Sequence, residues 1–458
     1  MKIMKFGGSS LADGGRISTV LDIVTVNHRV ERVCVVCSAM GGVTDGLLDA
    51  AAQAAAGLEV FTDQARAIRT RHLEVAAELC PDDDELARCV GRLCDELEEL
   101  LHGVLLVREC TPRTMDLIAG YGEQLSTTII AAALRRSGLS ARYVDGREII
   151  RTDAAHGSAA VDFASSYELI RTHLDGDDLP VVTGFIAATA AGVTTTLGRN
   201  GSDYTASIIG AGADATAIEI WTDVDGVYSA DPRFVPRAFV LPEISYQEAM
   251  ELSYFGAKVI HPYTMVPAVE RGIPLRIRNT LTPELPGTLI ASHTSSRAFV
   301  TGIASIENVA LVNVEGGGMV GSTGMAGRIF SSLAAARINI VMISQASSEH
   351  SICFVIPDRD AERAIRALEE ELASEVHQKK VQQFTAERDL EIVAVIGEKM
   401  RGKPGVSGRL FQTLGENGIN VLAIAQGSSE MNISFVVHRC DRERTLNAVH
   451  DAFFGGME

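Results

Sequence analysis

Lysine is scarce in this chain: seven residues against 34 arginines, with none between Lys5 and Lys258. Arginine is the default cation, so a lysine inside a glycine-bearing motif marks a place where a compact ammonium is wanted rather than a planar fork. Long apolar runs are missing too; none reaches the roughly 18 residues that cross a bilayer. The opening MKIMKFGGSSLADGG puts Lys5 and Asp13 where a secretory leader needs an unbroken apolar core, so a cytoplasmic protein with no membrane partner is expected. Nor is there any surplus of positive charge. A net charge of −18 repels nucleic-acid backbones, so no nucleic-acid partner is expected, and a phosphate ligand needs a locally built site. The eight cysteines are scattered and form one CxxC pair, Cys34 and Cys37, inside the apolar run RVCVVCSAM. Residues three apart on a strand face opposite sides, so these read as buried thiols, and no resident metal site is expected.

The 458 residues exceed what one hydrophobic core usually supports, and two or three domains are expected. Through about residue 290, apolar runs of strand type (KIMKF, RVCVVCSA, ARYVDG, LPVVTGF, TAIEIWTD, PLRIRN) alternate with helical stretches. That alternation predicts an α/β unit, a mainly parallel sheet sandwiched by helices. Residues 56–110 have helical periodicity with acidic outer faces, an all-helical excursion from the sheet. Beyond Gly302 the chain repeats itself. GRIFSSLAAARINIVMISQASSEHSICFVI (327–356) matches GRLFQTLGENGINVLAIAQGSSEMNISFVV (408–437) at an offset of 81, with 14 identities in 30. Each copy reads as a small βαββαβ unit. Gly316-x-Gly318-x-x-Gly321 imitates a dinucleotide fingerprint, but the second copy lacks it and no acidic residue follows at the ribose position. Those glycines are read instead as letting backbone amides approach a small carboxylate.

Four loops carry chemistry. Lys5-Phe6-Gly7-Gly8-Ser9-Ser10 follows the first strand and leads into a helix, placing an ammonium and backbone amides at one phosphate-sized spot. Ser38-Ala39-Met40-Gly41-Gly42-Val43-Thr44 follows the next strand in the same way. Leu197-Gly198-Arg199-Asn200-Gly201-Ser202-Asp203 combines glycines with a cation, a hydroxyl and a carboxylate. Thr222-Asp223-Val224-Asp225-Gly226 lacks the later oxygen ligands of a calcium loop. Singly, each of these could be an ordinary strand-to-helix turn.

Together, KFGGSS, SAMGGVTD, GRNGSDYTA, WTDVDGVYSADPR and FGAKVIHP stand in the order of the aspartokinases, which the chain resembles from residue 3 to about 440. The resemblance implies an amino-acid-kinase fold over 1–295 and two ACT-like regulatory domains over 300–380 and 385–458. It is nearest to the threonine-sensitive kinase half of bifunctional aspartokinase–homoserine dehydrogenases, and a monofunctional chain is expected. The implied reaction transfers phosphate from ATP, carried with Mg²⁺, to the L-aspartate β-carboxylate, opening the lysine, threonine and methionine pathway. Lys5 and Asp203 then resemble the catalytic pair, helped by the amides of Gly7 and Gly8. Thr44, Glu123, Arg199 and Ser202 resemble the aspartate-binding set. Lys5, Ser9, Thr222, Asp223, Tyr228, Arg233, Lys258 and Val259 resemble the nucleotide-binding set. Gln345 and Gln426, equivalent in the repeat, are the expected effector contacts. An amide can both donate to and accept from a threonine hydroxyl, Glu349 and Glu430 could equally cage a lysine ammonium, and it is the resemblance of QASSEHSICFVI and IAQGSSEMNISFVV to the threonine-sensitive branch that favours threonine. A homo-oligomer, at least a dimer, is expected from sheet edges a monomer would leave uncovered. A related kinase acting on glutamate, acetylglutamate or a nucleotide, and a non-catalytic amino-acid sensor, are the rival readings.

Overall fold

The structure, a computed structural model, describes residues 1–255, 261–296, 298–319, 323–345 and 350–456. Lys258 and Val259 lie outside the described residues. The chain divides into two compact units. The first comprises residues 1–227, 240–246 and the described part of 258–295; the second takes 228–239 and the described parts of 247–257 and 296–458.

In the first unit the strands are β1 (Lys2–Phe6), β2 (Val33–Cys37), β3 (Ala141–Val144), β4 (Arg151–Thr152), β5 (Leu179–Thr183), β6 (Ile186–Thr189), β7 (Thr194–Thr196), β8 (Ala217–Thr222), β9 (Glu243–Ser245), β10 (Leu275–Asn279) and β11 (Thr288–Ala291). Their helices are α1 (Gly14–His28), α2 (Val43–Ala55), α3 (Phe61–Leu79), α4 (Asp84–Val107), α5 (Pro112–Ala119), α6 (Tyr121–Arg136), α7 (Gly146–Ile149), α8 (Phe163–His173) and α9 (Gly201–Gly212). The main sheet runs β3-β5-β2-β1-β8-β10-β11-β9, parallel from β3 through β10. Every residue of β2 and β5 is buried, because helices cover both faces and no polar alternation survives. Burial pushes the Cys34 thiol up to about 12 and the Cys37 thiol higher still, so both stay protonated core groups. The strand order reverses at β1, whose neighbours are β2 on one side and β8 on the other; ligands of open parallel sheets bind at such a switch, outside the carboxyl ends. A small sheet, β4-β6-β7, stands apart from the main one. The helical excursion is α3 and α4; α4 starts where the Asp83 side chain accepts from Leu86 N–H and buries Val90, Cys94, Leu97, Leu101 and Val104 at helical spacing.

The remaining elements are α10 (Tyr246–Tyr254), α11 (Pro262–Glu270), β12 (Gly302–Glu315), α12 (Met325–Ala335), β13 (Met342–Gln345), β14 (Ser351–Pro357), α13 (Ala361–Glu371), α14 (Ala373–His377), β15 (Gln383–Ile396), α15 (Val406–Glu416), β16 (Ala423–Gln426), β17 (Asn432–His438) and α16 (Arg442–Phe454). Strands β12 to β17 form one sheet, β13-β14-β12-β15-β17-β16. The two repeats share its centre. The later half of β12 pairs with β14 while the earlier half pairs with the end of β15, which itself pairs with β17. The boundary expected between 380 and 385 thus adjoins a strand that serves both repeats. Asn308 (φ 57°) sits where the β12–β15 register shifts, and it marks the joint between the halves. The outer strands β13 and β16, equivalent in the repeat, approach each other, with Ser344 Oγ donating to Ile424 O at 2.9 Å. Two equivalent cores result: Val312, Ile329, Leu333 and Phe354 in one, Val393, Leu410, Leu414 and Phe435 in the other. Among the described residues no helix is long and apolar enough to cross a membrane.

The glycines of the dinucleotide-like motif have a different purpose from the one read in the sequence. A Cβ on Gly316 would lie 2.0 Å from Lys380 O, and one on Gly318 2.6 Å from Lys380 Cα. They admit the neighbouring backbone rather than a carboxylate ligand. Gly321 lies outside the described residues.

Candidate active site

Lys5 comes one residue before the end of β1, and its ammonium lies 2.6 Å from Asp203 Oδ1 in the first turn of α9. Both side chains are about nine-tenths buried. Helix α9 can begin there because Gly198 (φ 76°) and Asn200 (φ 56°) take left-handed conformations, turning LGRNG sharply off β7. Neither α9 nor α2 has a side-chain cap, and in their first turns the Val43, Gly201 and Asp203 amides donate to the Met40, Gly198 and Asn200 carbonyls. These elements surround a cleft of about 760 Å³, whose lining includes Lys5, Gly8, Thr44, Glu123, Arg199 and Asp203. Ser202 lines it too.

Gly8 and Gly41 let the first two loops pack backbone to backbone: a Cβ on Gly8 would be 3.0 Å from Ala39 O, and one on Gly41 3.1 Å from Gly8 O. The expected role of the Gly7 amide is corrected here. Its N–H donates to Trp221 O at 3.1 Å, so it is spent on holding the loop to β8. Ser9 is not part of the cleft lining, and its carbonyl accepts from Arg16 Nη1 at 2.6 Å.

Glu123, on α6, is fully enclosed at the cleft wall. Its Oε1 accepts from Ala39 N–H at 3.1 Å, and Oε2 has no partner among the described residues. Burial pushes this carboxyl up to about 8, against the opposing pull of the Ala39 amide and the Lys5 charge. Arg199 is exposed at the rim and forms no ion pair among the described residues. An orphan acid in the wall and an unpaired cation at the rim suit a ligand bearing both an ammonium and a carboxylate.

Thr222 and Asp223 stand at the carboxyl end of β8, beside β1, where Thr222 Oγ1 donates to Asp223 Oδ1 at 3.2 Å. Asp225 in the same loop accepts from Asn279 Nδ2 at 2.7 Å and Thr282 Oγ1 at 2.9 Å. Tyr228 and Arg233 belong to the second unit, and the Arg233 guanidinium is taken up by Asp231 at 2.6 Å. Gln345 and Gln426 end the outer strands β13 and β16, both exposed.

Sequence reasoning missed Asp116 and Phe185. Asp116, buried on α5 and lining the cleft, accepts from Thr196 Oγ1 (2.6 Å) and Gly157 N–H (3.1 Å), and lies 2.8 Å from His156 Nδ1. It ties the rim segment around Gly157 to the cleft wall, and nothing in its local sequence sets it apart from a surface helical aspartate. Phe185 lines the cleft with a left-handed backbone (φ 68°), its N–H donating to Thr205 Oγ1 at 3.0 Å.

A parallel sheet with this cleft at its switch point is the architecture of an amino acid kinase, and the model of the amino acid kinase family matches residues 1–279. An ACT-domain model matches 312–372 and 393–453. Aspartokinase 1, chloroplastic, of Arabidopsis thaliana is 34% identical over 99% of this chain and 80% of its own length. Bifunctional aspartokinase/homoserine dehydrogenase 1, chloroplastic, of the same plant is 39% identical over 99% of this chain and 51% of its own. E. coli aspartokinase III in complex with aspartate and ADP (R-state) superposes with a TM-score of 0.82 at 30% identity, covering 99% of this chain and 100% of that one. Clostridium acetobutylicum aspartate kinase gives 0.82 at 29%, covering all of both chains. The chain belongs to the amino acid kinase family and, within it, to the aspartokinases. It spans about half the length of the bifunctional relatives it matches.

Proposed function

We propose that the chain phosphorylates the β-carboxylate of L-aspartate with ATP, giving 4-phospho-L-aspartate, the first step toward lysine, threonine and methionine. The observation that carries this reading is the buried Lys5–Asp203 pair in a cleft that also holds Glu123 and Arg199. The β-carboxylate, with a reference pKa of about 3.9, is already ionised at neutral pH, so the acceptor needs no general base. The obstacle is electrostatic. A like-charge pair at about 4 Å costs on the order of 1 kcal/mol in water and about 4 kcal/mol at an effective dielectric of 20. Lys5 and the Gly8 amide stand where positive charge offsets that repulsion, and Asp203 orients Lys5. Magnesium arrives with ATP as part of the substrate complex; among the described residues no group of three or more His, Cys, Asp or Glu side chains is placed to hold a metal. Glu123 takes the substrate ammonium, Arg199 its α-carboxylate, and Thr44 and Ser202 complete the acceptor site. Thr222, Asp223, Tyr228, Arg233, Lys258 and Val259 serve the nucleotide, with Ser9 beside the phosphates.

The paired ACT domains support regulation by an amino acid; the proposed effector is threonine, bound at Gln345 and Gln426, and the proposed working form is at least a dimer. Ile343 and Ile424, about half exposed on the outer strands, are the apolar surface such a dimer would cover. Incubation with ATP, Mg²⁺ and aspartate or glutamate, then hydroxylamine trapping of acyl phosphate, tests the reading. Hydroxamate should form with aspartate; formation with glutamate alone, or with neither, would overturn it.

A further inference from the structure

Arg71, on α3, belongs to the helical excursion, away from the four motifs. It reaches two loops at once. Nη1 donates to Gly41 O at 2.8 Å and Nη2 to Ala12 O at 2.6 Å. It has no carboxylate partner among the described residues, so both contacts are to backbone carbonyls of the loops after β1 and β2.

The Gly41 contact falls on the central peptide of a tight turn. Met40 to Val43 is a four-residue turn closed by Val43 N–H donating to Met40 O at 2.9 Å. Gly42 has φ 79° and ψ −5°, and Gly41 is not left-handed, which is the type II turn. Type I and type II turns differ by a flip of the central peptide, here Gly41–Gly42. With glycine at both central positions no Cβ favours either orientation. The peptide is trans and planar, so the Gly41 carbonyl and the Gly42 N–H point in opposite directions. Holding the carbonyl against Arg71 turns the Gly42 N–H the other way. Gly41, Gly42 and Thr44 all line the cleft, at the uncapped start of α2.

We propose that Arg71 is a positioning residue: it locks the Gly41–Gly42 peptide so that the Gly42 N–H is presented to an anionic oxygen of the amino-acid acceptor. This rests on the cleft being the acceptor site of the proposed kinase. The same fork, by holding Ala12 O, ties the loop that carries Gly8 to the loop that carries Gly42, so the two glycine loops keep one spacing. The excursion of α3 and α4 is thereby more than an outer layer.

The test compares wild type, R71M and R71K by steady-state kinetics, melting temperature and amide hydrogen exchange over residues 38–46. R71M should raise the aspartate KM about tenfold, the loss of one charge-assisted hydrogen bond, with the ATP KM within about twofold. Exchange at the Val43 amide should quicken as the turn loses its lock. R71K, with one ammonium for two carbonyls, should fall between and serves if R71M folds poorly. An aspartate KM in R71K and R71M within about twofold of wild type, with unchanged exchange, overturns the proposal. So does an equal loss toward both substrates that follows a fall in melting temperature, since that marks a merely structural tether. If wild type makes no acyl phosphate from aspartate, the functional reading fails instead, and exchange at Val43 still decides whether Arg71 locks the turn.

Discussion

Lys5 and Asp203 are each other's counter-charge, both about nine-tenths buried at the cleft wall, and this makes substitution of either one a two-part measurement. Lys5→Met keeps the apolar stem but removes the ammonium, so kcat should fall by about a hundredfold or more, roughly 3 kcal/mol of transition-state charge stabilisation being lost. It also leaves Asp203 buried and unpaired, at a stability cost of about 3 kcal/mol. Adding Asp203→Asn should recover the melting temperature but not the activity; recovery of both would show the pair to be structural. Glu123 gives a pH signature. Its carboxyl stands at about 8 in the fold against an ordinary 4.5 unfolded, so between those values the folded chain holds a proton that the unfolded chain has lost. Its contribution to stability is therefore complete below pH 4.5 and disappears as pH rises through about 8. An aspartate ammonium beside it would favour ionisation, so binding at pH 7 should release protons, seen as buffer-dependent heats in titration calorimetry. Glu123→Gln should abolish that dependence; identical dependence in the variant would remove Glu123 from the ammonium site.

Elements here are placed by close backbone approach as much as by side-chain burial. The loop after β12 fits only because Gly316 has no Cβ where Lys380 O passes. Gly316→Ala should destabilise the second unit by about 2 kcal/mol or more through overpacking, read as a lower melting temperature. A variant as stable as wild type but with altered effector binding would instead restore the ligand-loop reading. The segment 228–239 is likewise an element of the second unit. Arg442 of α16 lies 4.0 Å over the Phe234 ring, Asn447 Nδ2 donates to Phe234 O at 2.8 Å, and Ser229 Oγ lies 3.0 Å from His450 Nε2. The stretch that carries Tyr228 and Arg233 is thus built into the same body as the second repeat.

For the whole molecule, the proposed feedback requires that the effector bind two arrangements of the chain with different affinity. Saturating threonine should inhibit the kinase, and Gln345→Ala or Gln426→Ala should weaken inhibition without lowering basal turnover. Inhibition by lysine with no response to millimolar threonine would replace the effector while leaving the kinase assignment standing.

All six strands named from apolar runs lie in the main sheet, and the repeat was visible as plain identity, because buried strands and duplicated cores leave their pattern in consecutive residues. The residue types of the cleft were equally legible, since loops that approach a phosphate need glycine and a cation at short spacing. Asp116, whose partners lie 40 to 80 residues away, left no such trace. Only the tertiary structure decided that the Gly7 amide is committed to Trp221, that Gly316 and Gly318 serve packing, that β12 and β15 each belong to both repeats, and that Arg71 grips two loops. Each of these is a contact between residues far apart in the chain, and local periodicity carries no record of which distant backbone will arrive.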